Sequence, residues 1–184
     1  MKRIFVWLAF LLASSPLFAG EARLSLNGDA FRARYTHDFD DLEIKLSGGW
    51  LHNSDRGEVL DATVYLPGWV TKGKNPLRAG IGVRGVYTDA DEIGDNGGAV
   101  GVGGFLNYTL PRFNRLFILA EVYFAPEVLS IGDMEKYEDY SIALGYNMMR
   151  SADIFVGARY VKGDYDSGSS LFDNGMNLGF RIKF

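Results

Sequence analysis

Gly175-Met176-Asn177-Leu178-Gly179-Phe180-Arg181-Ile182-Lys183-Phe184, the last ten residues, alternate without a break. Met176, Leu178, Phe180, Ile182 and Phe184 share one side; Asn177, Gly179, Arg181 and Lys183 share the other. Side chains of a strand point alternately to its two faces, so this segment reads as a strand with one wholly apolar face and an aromatic end. That suits the closing strand of a membrane barrel, whose apolar residues face lipid and whose terminal ring seats at the interface. Asn177, Gly179, Ile182 and Phe184 are read as its assembly signal, the part gripped by the barrel assembly machinery.

The other end of the chain supports export. Met1, Lys2 and Arg3 form a positive start, Ile4 to Ala13 is apolar, and Ser14 to Ala19 offers small residues around a cut after Ala19, with Gly20 or Ala22 as alternatives. This is the pattern of a signal peptide, and the apolar run is shorter than the roughly 20 residues a spanning helix needs. Residues 1–19 are therefore set apart, and 20–184 are expected to form a single barrel domain. The chain has no cysteine, which excludes a disulfide scaffold, a lipid-modified N-terminal cysteine and thiolate metal sites. Without Lys2 and Arg3 the basic residues fall from 19 to 17 against 23 acidic ones. An acidic chain of this kind is a poor match for nucleic acid.

Between these ends one unit recurs: about nine to thirteen residues of alternating polarity, then a turn, close to the nine to eleven that a tilted spanning strand requires. Nine segments are clear: 30–38, 42–52, 59–70, 77–88, 99–110, 116–125, 137–149, 154–162 and 176–184. Both termini of such a barrel lie on the periplasmic side, which demands an even number. Ala22 to Leu26 alternates weakly and precedes Asn27-Gly28, a strong hairpin signal, so it is taken as the first strand. The expectation is an all-β, transmembrane, antiparallel up-and-down barrel of ten strands, with eight as the alternative if the first two segments form an interior plug or a periplasmic lead-in.

Connections alternate in length. Asp40-Asp41, Thr71 to Pro76, Pro111 to Arg115 and Arg150 to Asp153 are short and read as periplasmic. Asn53 to Glu58, Asp89 to Gly98, Pro126 to Lys136 and Gly163 to Gly175 read as outer loops. Within strands, one parity holds residues such as Leu46, Leu60, Val83, Val102 and Leu144, the predicted lipid face. Trp50, Tyr87, Tyr108, Tyr140, Tyr146, Tyr160 and Phe184 are the predicted interfacial anchors. The opposite parity holds Arg32, Arg34, Glu43, Lys45, Asp61, Arg78, Arg84, Glu121 and Arg159, interleaved with glycines. A narrow lumen is filled by side chains, and a buried charge needs a partner, so these predict a paired internal network.

Leu46-Ser47-Gly48-Gly49-Trp50-Leu51-His52-Asn53-Ser54-Asp55, Tyr123-Phe124-Ala125-Pro126-Glu127, and the spacing through Gly157-Ala158-Arg159-Tyr160 to Phe184 resemble the YfaZ-like small outer-membrane proteins of Gram-negative bacteria. The resemblance covers essentially all of 20–184 and implies an outer-membrane barrel with no established activity.

Three patterns invite chemistry. Gly80-Ile81-Gly82-Val83-Arg84-Gly85 fits the dinucleotide-binding glycine spacing, but it lies inside an alternating strand with no helix to aim amides at a pyrophosphate. No cofactor is read from it. His52 with Ser54 and Asp55 supplies the residue types of a serine-type triad, and His37 is the other histidine, yet neighbours on one strand point to opposite faces. Asp89, Asp91, Glu92 and Asp95 begin like a calcium loop and then lack its glycine and terminal glutamate; they are the metal candidates. No convergent catalytic set emerges. The sequence thus favours a non-enzymatic envelope barrel with a structural or surface-contact role, touching outer-membrane lipids and lipopolysaccharide. A narrow channel, or a lipid hydrolase or protease using His52 or His37, is the alternative, and any small-molecule ligand is unspecified.

Overall fold

The computed structural model describes residues 20–39, 42–73 and 76–184. The expected signal peptide, residues 1–19, and the turn residues 40, 41, 74 and 75 lie outside the described residues. The chain forms β1 (Gly20–Leu26), β2 (Ala30–Phe39), β3 (Ile44–Asn53), β4 (Gly57–Thr71), β5 (Leu77–Ala90) and β6 (Asp95–Thr109). It continues with β7 (Leu116–Ala125), a short β8 (Ser130–Gly132), β9 (Met134–Met149), β10 (Ala152–Tyr165) and β11 (Gly168–Lys183). Each strand except β8 pairs antiparallel with both its neighbours in the sheet, β6 taking β8 as a third partner, and β1 pairs with β11, so ten strands close into a ring. The short segment before Asn27-Gly28 is thus a barrel strand. The seam ends on reciprocal bonds between Gly20 and Phe184, whose amides each donate to the other's carbonyl at 2.9 and 3.0 Å.

The outer connections are shorter than the sequence predicts. Most of 163–175 is strand, because Gly163, Asp164 and Tyr165 pair with Ser170, Ser169 and Gly168 around a turn at Asp166 and Ser167. Its glycines and serines read as loop, but a neighbouring strand satisfies their backbone groups, and that outweighs propensity. The same holds for 89–98, where only 91–94 turn, and for 53–58, where only 54–56 do. The 126–136 connection has structure of its own: a 3-10 turn at Glu127–Leu129, then β8, which pairs with the outer end of β6.

The parity rule holds for the wall. Ile81, Val83, Val102, Ile142, Leu144, Met176 and Leu178 are exposed on the outside of the cylinder, up to 72% for Ile81. This is the lipid face. Toward the outer end, Trp50, Tyr87, Tyr140 and Tyr160 mark where the apolar surface stops. His52, Asp89, Glu138 and Lys162 follow them on the same parity, as at a membrane–water boundary. Tyr140 and Tyr160 stack across β9 and β10, with ring centroids 6.1 Å apart. Near the end that carries both termini, Tyr108, Tyr146 and Phe184 form the other band, and Phe184 stacks on Tyr35 at 6.1 Å.

Inside, glycines and rings are complementary. Phe117 faces Gly145, Phe155 faces Gly179, Tyr123 faces Gly103, Phe105 faces Gly80 and Tyr65 faces Gly82, each pair directly opposite on adjacent strands. In all five, a Cβ on the glycine would collide with its aromatic neighbour. The ring covers the bare backbone, a pairing that pins register as well as filling space.

Val83→Arg or Leu144→Arg is expected to harm folding into lipid vesicles far more than Asp91→Arg. Arginine at mid-membrane costs about 2 to 4 kcal/mol, while the Asp91 turn is exposed to water. Folding yields measured by heat-modifiable gel mobility check this. Deleting Phe184 removes the closing bonds to Gly20, so outer-membrane insertion in cells should fall well below that of a chain lacking Ser167 from the outer turn.

Candidate functional site

The lumen is built in three layers, and the middle one is charged. Its logic starts with one cross-strand row: Asp153, Arg181, Arg23, Arg34, Gly49 and Asp61 lie side by side on β10, β11, β1, β2, β3 and β4. Three adjacent arginines repel one another unless carboxylates reach them. Asp153 binds Arg181 from one flank, its Oδ2 accepting from Arg181 Nε at 2.7 Å. On the other flank Gly49 leaves a gap. Asp61 leans across it, with Oδ1 3.3 Å from Arg34 Nη2 and Oδ2 3.1 Å from Arg32 Nη2. A Cβ at Gly49 would strike the Asp61 carboxylate.

The opposite wall supplies the remaining acids. Glu121 of β7 accepts from Arg23 Nη1 at 2.6 Å and from Arg34 Nη1 at 2.5 Å. Asp139 of β9 accepts from Arg32 Nη2 at 2.7 Å and also pairs with Arg84. Arg84 in turn donates through Nε to Thr63 Oγ1 at 2.9 Å, and its guanidinium lies 3.6 Å from the centre of the Tyr123 ring. Higher up, Arg159 pairs with Asp173 and donates to Ser25 Oγ at 2.8 Å. The side chains of Asp61, Asp153 and Asp173 are completely buried. Such groups persist only as a set, since breaking one buried pair costs about 3–5 kcal/mol.

The outer layer is apolar. Leu51, Val59, Val86, Ala99, Ala125, Met134, Tyr137, Val161, Tyr165 and Phe172 form one buried cluster inside the barrel, and Leu51, Val161 and Phe172 have no exposure at all. The upper part of β11 completes it. A register shift opposite Val161–Gly163 turns Phe172 inward. Its hairpin is then tied to the β3–β4 turn by Asn53 Nδ2 to Phe172 O at 2.9 Å and Arg56 Nη1 to Leu171 O at 2.7 Å.

At the opposite end the lumen is a polar vestibule of about 350 Å³. Glu21, Lys45, Tyr65, Arg78, Asn107 and Lys183 are among its lining residues. Arg78 rests 5.5 Å from the Trp69 ring, and Lys45 pairs with Asp38.

Of the interior charges expected from sequence, Arg32, Arg34, Asp61, Arg84, Glu121 and Arg159 meet in the network. Glu43 does not belong. β3 begins one residue later, and Glu43 sits exposed in the turn before it with φ 52°. Sequence reading missed Arg23, Asp139, Asp153, Asp173 and Arg181 as network members. The parity of Asp139 opposite Tyr140, Ile142 and Leu144 would have found it.

The other candidates are dispersed. His52 lies outside the barrel, with Nδ1 3.1 Å from Glu58 Oε1, while Ser54 and Asp55 are exposed in the adjoining turn. His37 packs edge-on against Phe39 at 4.4 Å. Asp89 points outward from β5, Asp91 and Glu92 sit in the turn, and Asp95 accepts a bond from Ser167. No group of three or more metal-ligating side chains occurs among the described residues. Gly80 to Gly85 runs straight through β5.

Comparison with known proteins agrees with this architecture. The family model described as "YfaZ precursor" matches residues 2–184. The Outer membrane protein YfaZ of Escherichia coli (strain K12) is 37% identical over 118 residues, 64% of this chain and 61% of that protein, so the match spans under two thirds of the relative's length. Among solved structures, the outer membrane channel DcaP of Acinetobacter baumannii aligns over 93% of this chain and 60% of its own, with a TM-score of 0.45 and 14% identity. The chain belongs to the YfaZ family and is a β-barrel of the outer membrane.

Proposed function

We propose that this barrel is a closed, non-catalytic element of the outer membrane, acting through its wall and outer hairpins in envelope structure or surface contact. The observation that carries the reading is the apolar seal: Leu51, Phe172 and Val161, all fully buried, occupy the lumen where a pore would need a water-filled polar path. The charged layer beneath adds a second barrier. Its side chains are bonded to one another and leave the vestibule a dead end. Outer-leaflet lipids and lipopolysaccharide would meet the apolar wall and the Trp50, Tyr87, Tyr140 and Tyr160 band, and the barrel assembly machinery would meet β11.

The narrow-channel alternative draws on the polar vestibule, yet it requires Leu51, Val161 and Phe172 to clear the lumen. Hydrolysis by His52 or His37 has less support, since the partner His52 shows is Glu58 rather than a nucleophile.

Reconstituted in planar bilayers, the protein should give no discrete conductance steps. Reproducible ohmic steps from the native chain would overturn the closed-barrel reading. Replacing both histidines with alanine should leave outer-membrane phospholipid and lipid A profiles unchanged by mass spectrometry; accumulation of an unprocessed lipid species would restore the hydrolase.

A further inference from the structure

We propose that the charged layer encloses a binding site for a single small anion, chloride in the first instance. The site is a small cavity of about 50 Å³ beside the charged layer, bounded by Arg23, Arg32, Arg34, Arg159, Ser25 and Asn177 among others. Three features converge on it.

The first is a set of unused donors. Arg32 Nε, Arg34 Nε and Arg159 Nη2 are buried and have no hydrogen-bond partner. All three side chains line the cavity, and each residue is at least nine-tenths buried. A buried donor left without an acceptor costs about 1–3 kcal/mol, more when charged.

The second is charge. Four guanidiniums, those of Arg23, Arg32, Arg34 and Arg159, line the cavity against one carboxylate, that of Glu121, while Asp61, Asp139 and Asp173 reach them from outside its wall. Glu21 reaches Arg23 from the vestibule at 3.1 Å, but it is shared with Arg181. Glu121 is the one carboxylate in the cavity wall, and both its oxygens already accept from Arg23 and Arg34.

The third is the chemistry of the occupant. A volume of this order admits one or two water-sized species; a water there would meet donors from four arginines and could pass its own protons only to Glu121 and the neutral Ser25, Ser141 and Asn177. Guanidinium groups donate and never accept. A species that only accepts and carries one negative charge answers the unused donors and the four guanidiniums around them together. The space excludes phosphates and organic anions.

The test uses the full barrel refolded in detergent, with unfolding temperature followed in sodium chloride and in sodium gluconate at equal ionic strength. Chloride should raise it saturably, as expected for a ligand that binds only the folded state. Crystals grown in bromide should show an anomalous peak between Arg32, Arg34 and Arg159. Ser25→Asp puts a carboxylate beside Arg159 in place of the anion, so its unfolding temperature should no longer respond to chloride. If that variant fails to fold, Arg159→Lys keeps a cation beside Asp173 but removes the unused Nη2 donor, and should lose the response too. Equal unfolding temperatures for the native barrel in the two salts, or no bromide in the cavity, would show that water fills it. A chloride response kept by the folded variant would place the anion elsewhere and overturn the site.

Discussion

A strand edge left open in lipid cannot be tolerated, because each unsatisfied backbone group there costs several kcal/mol. The rest of this structure follows from how that edge is closed. The seam is formed by only seven residues, Gly20–Leu26, against the sixteen of β11. β1 reaches Leu178 and stops, so the outer part of β11 has no partner on that side. A register shift against β10 near Val161 turns the Phe172 side chain into the lumen. A mismatch in strand length thereby becomes a lid. Asn27 and Asn53 fix it: the first pairs with Asp173, and the second holds the carbonyl of Phe172.

Closing the wall also decides the interior. Alternation that puts leucine and valine into lipid puts the other parity into a narrow tube, and here that parity is rich in arginine. Arg181, Arg23 and Arg34 stand shoulder to shoulder, an arrangement that repels unless it is neutralised from across the barrel. Glu121 does so for Arg23 and Arg34 from β7, Asp61 helps by lying over Gly49, and Asp153 takes Arg181 from the adjacent strand, while Asp139 on β9 holds Arg32 and Arg84. The network therefore joins strands far apart in the sheet, through pairs such as Arg32–Asp139 that are 107 residues apart in sequence. Hydrogen bonding of the backbone links only adjacent strands, so these pairs are what bind opposite walls together.

Much of this was legible in the chain. Parity within each strand marked the lipid face, and the need for an even strand count recovered Gly20–Leu26 from a weak signal. Six of the network charges could be named from parity alone. What was not legible depended on lateral pairing. Asp173 reads as a loop residue beside glycine and serine, and only its neighbour Val161 makes it strand. Asp153 looks like a turn residue until Arg181 is seen opposite it. Phe172 could not be foreseen as a seal, because a register shift reverses the parity on which sequence reading depends. Glu43 failed for a related reason: it keeps the interior parity of Lys45, but the strand starts one residue too late to use it.

Strand length carries the last step. β4, β6, β9 and β11 run 15 or 16 residues, whereas about nine to eleven suffice to cross a bilayer. The surplus lies toward the outer hairpins, where the wall changes from apolar to charged. Lys162 and Asp164 pair at 2.6 Å, and Lys136 and Glu138 at 2.8 Å, just beyond the Tyr140–Tyr160 stack. The cylinder thus continues past the membrane as a stalk, with the apolar seal inside it and Val128 and Ile131, 88% and 73% exposed, at its rim. A pore gains nothing from a stalk whose bore is filled. The proposed role in surface contact is served by that filling, because it fixes where the outer hairpins are held.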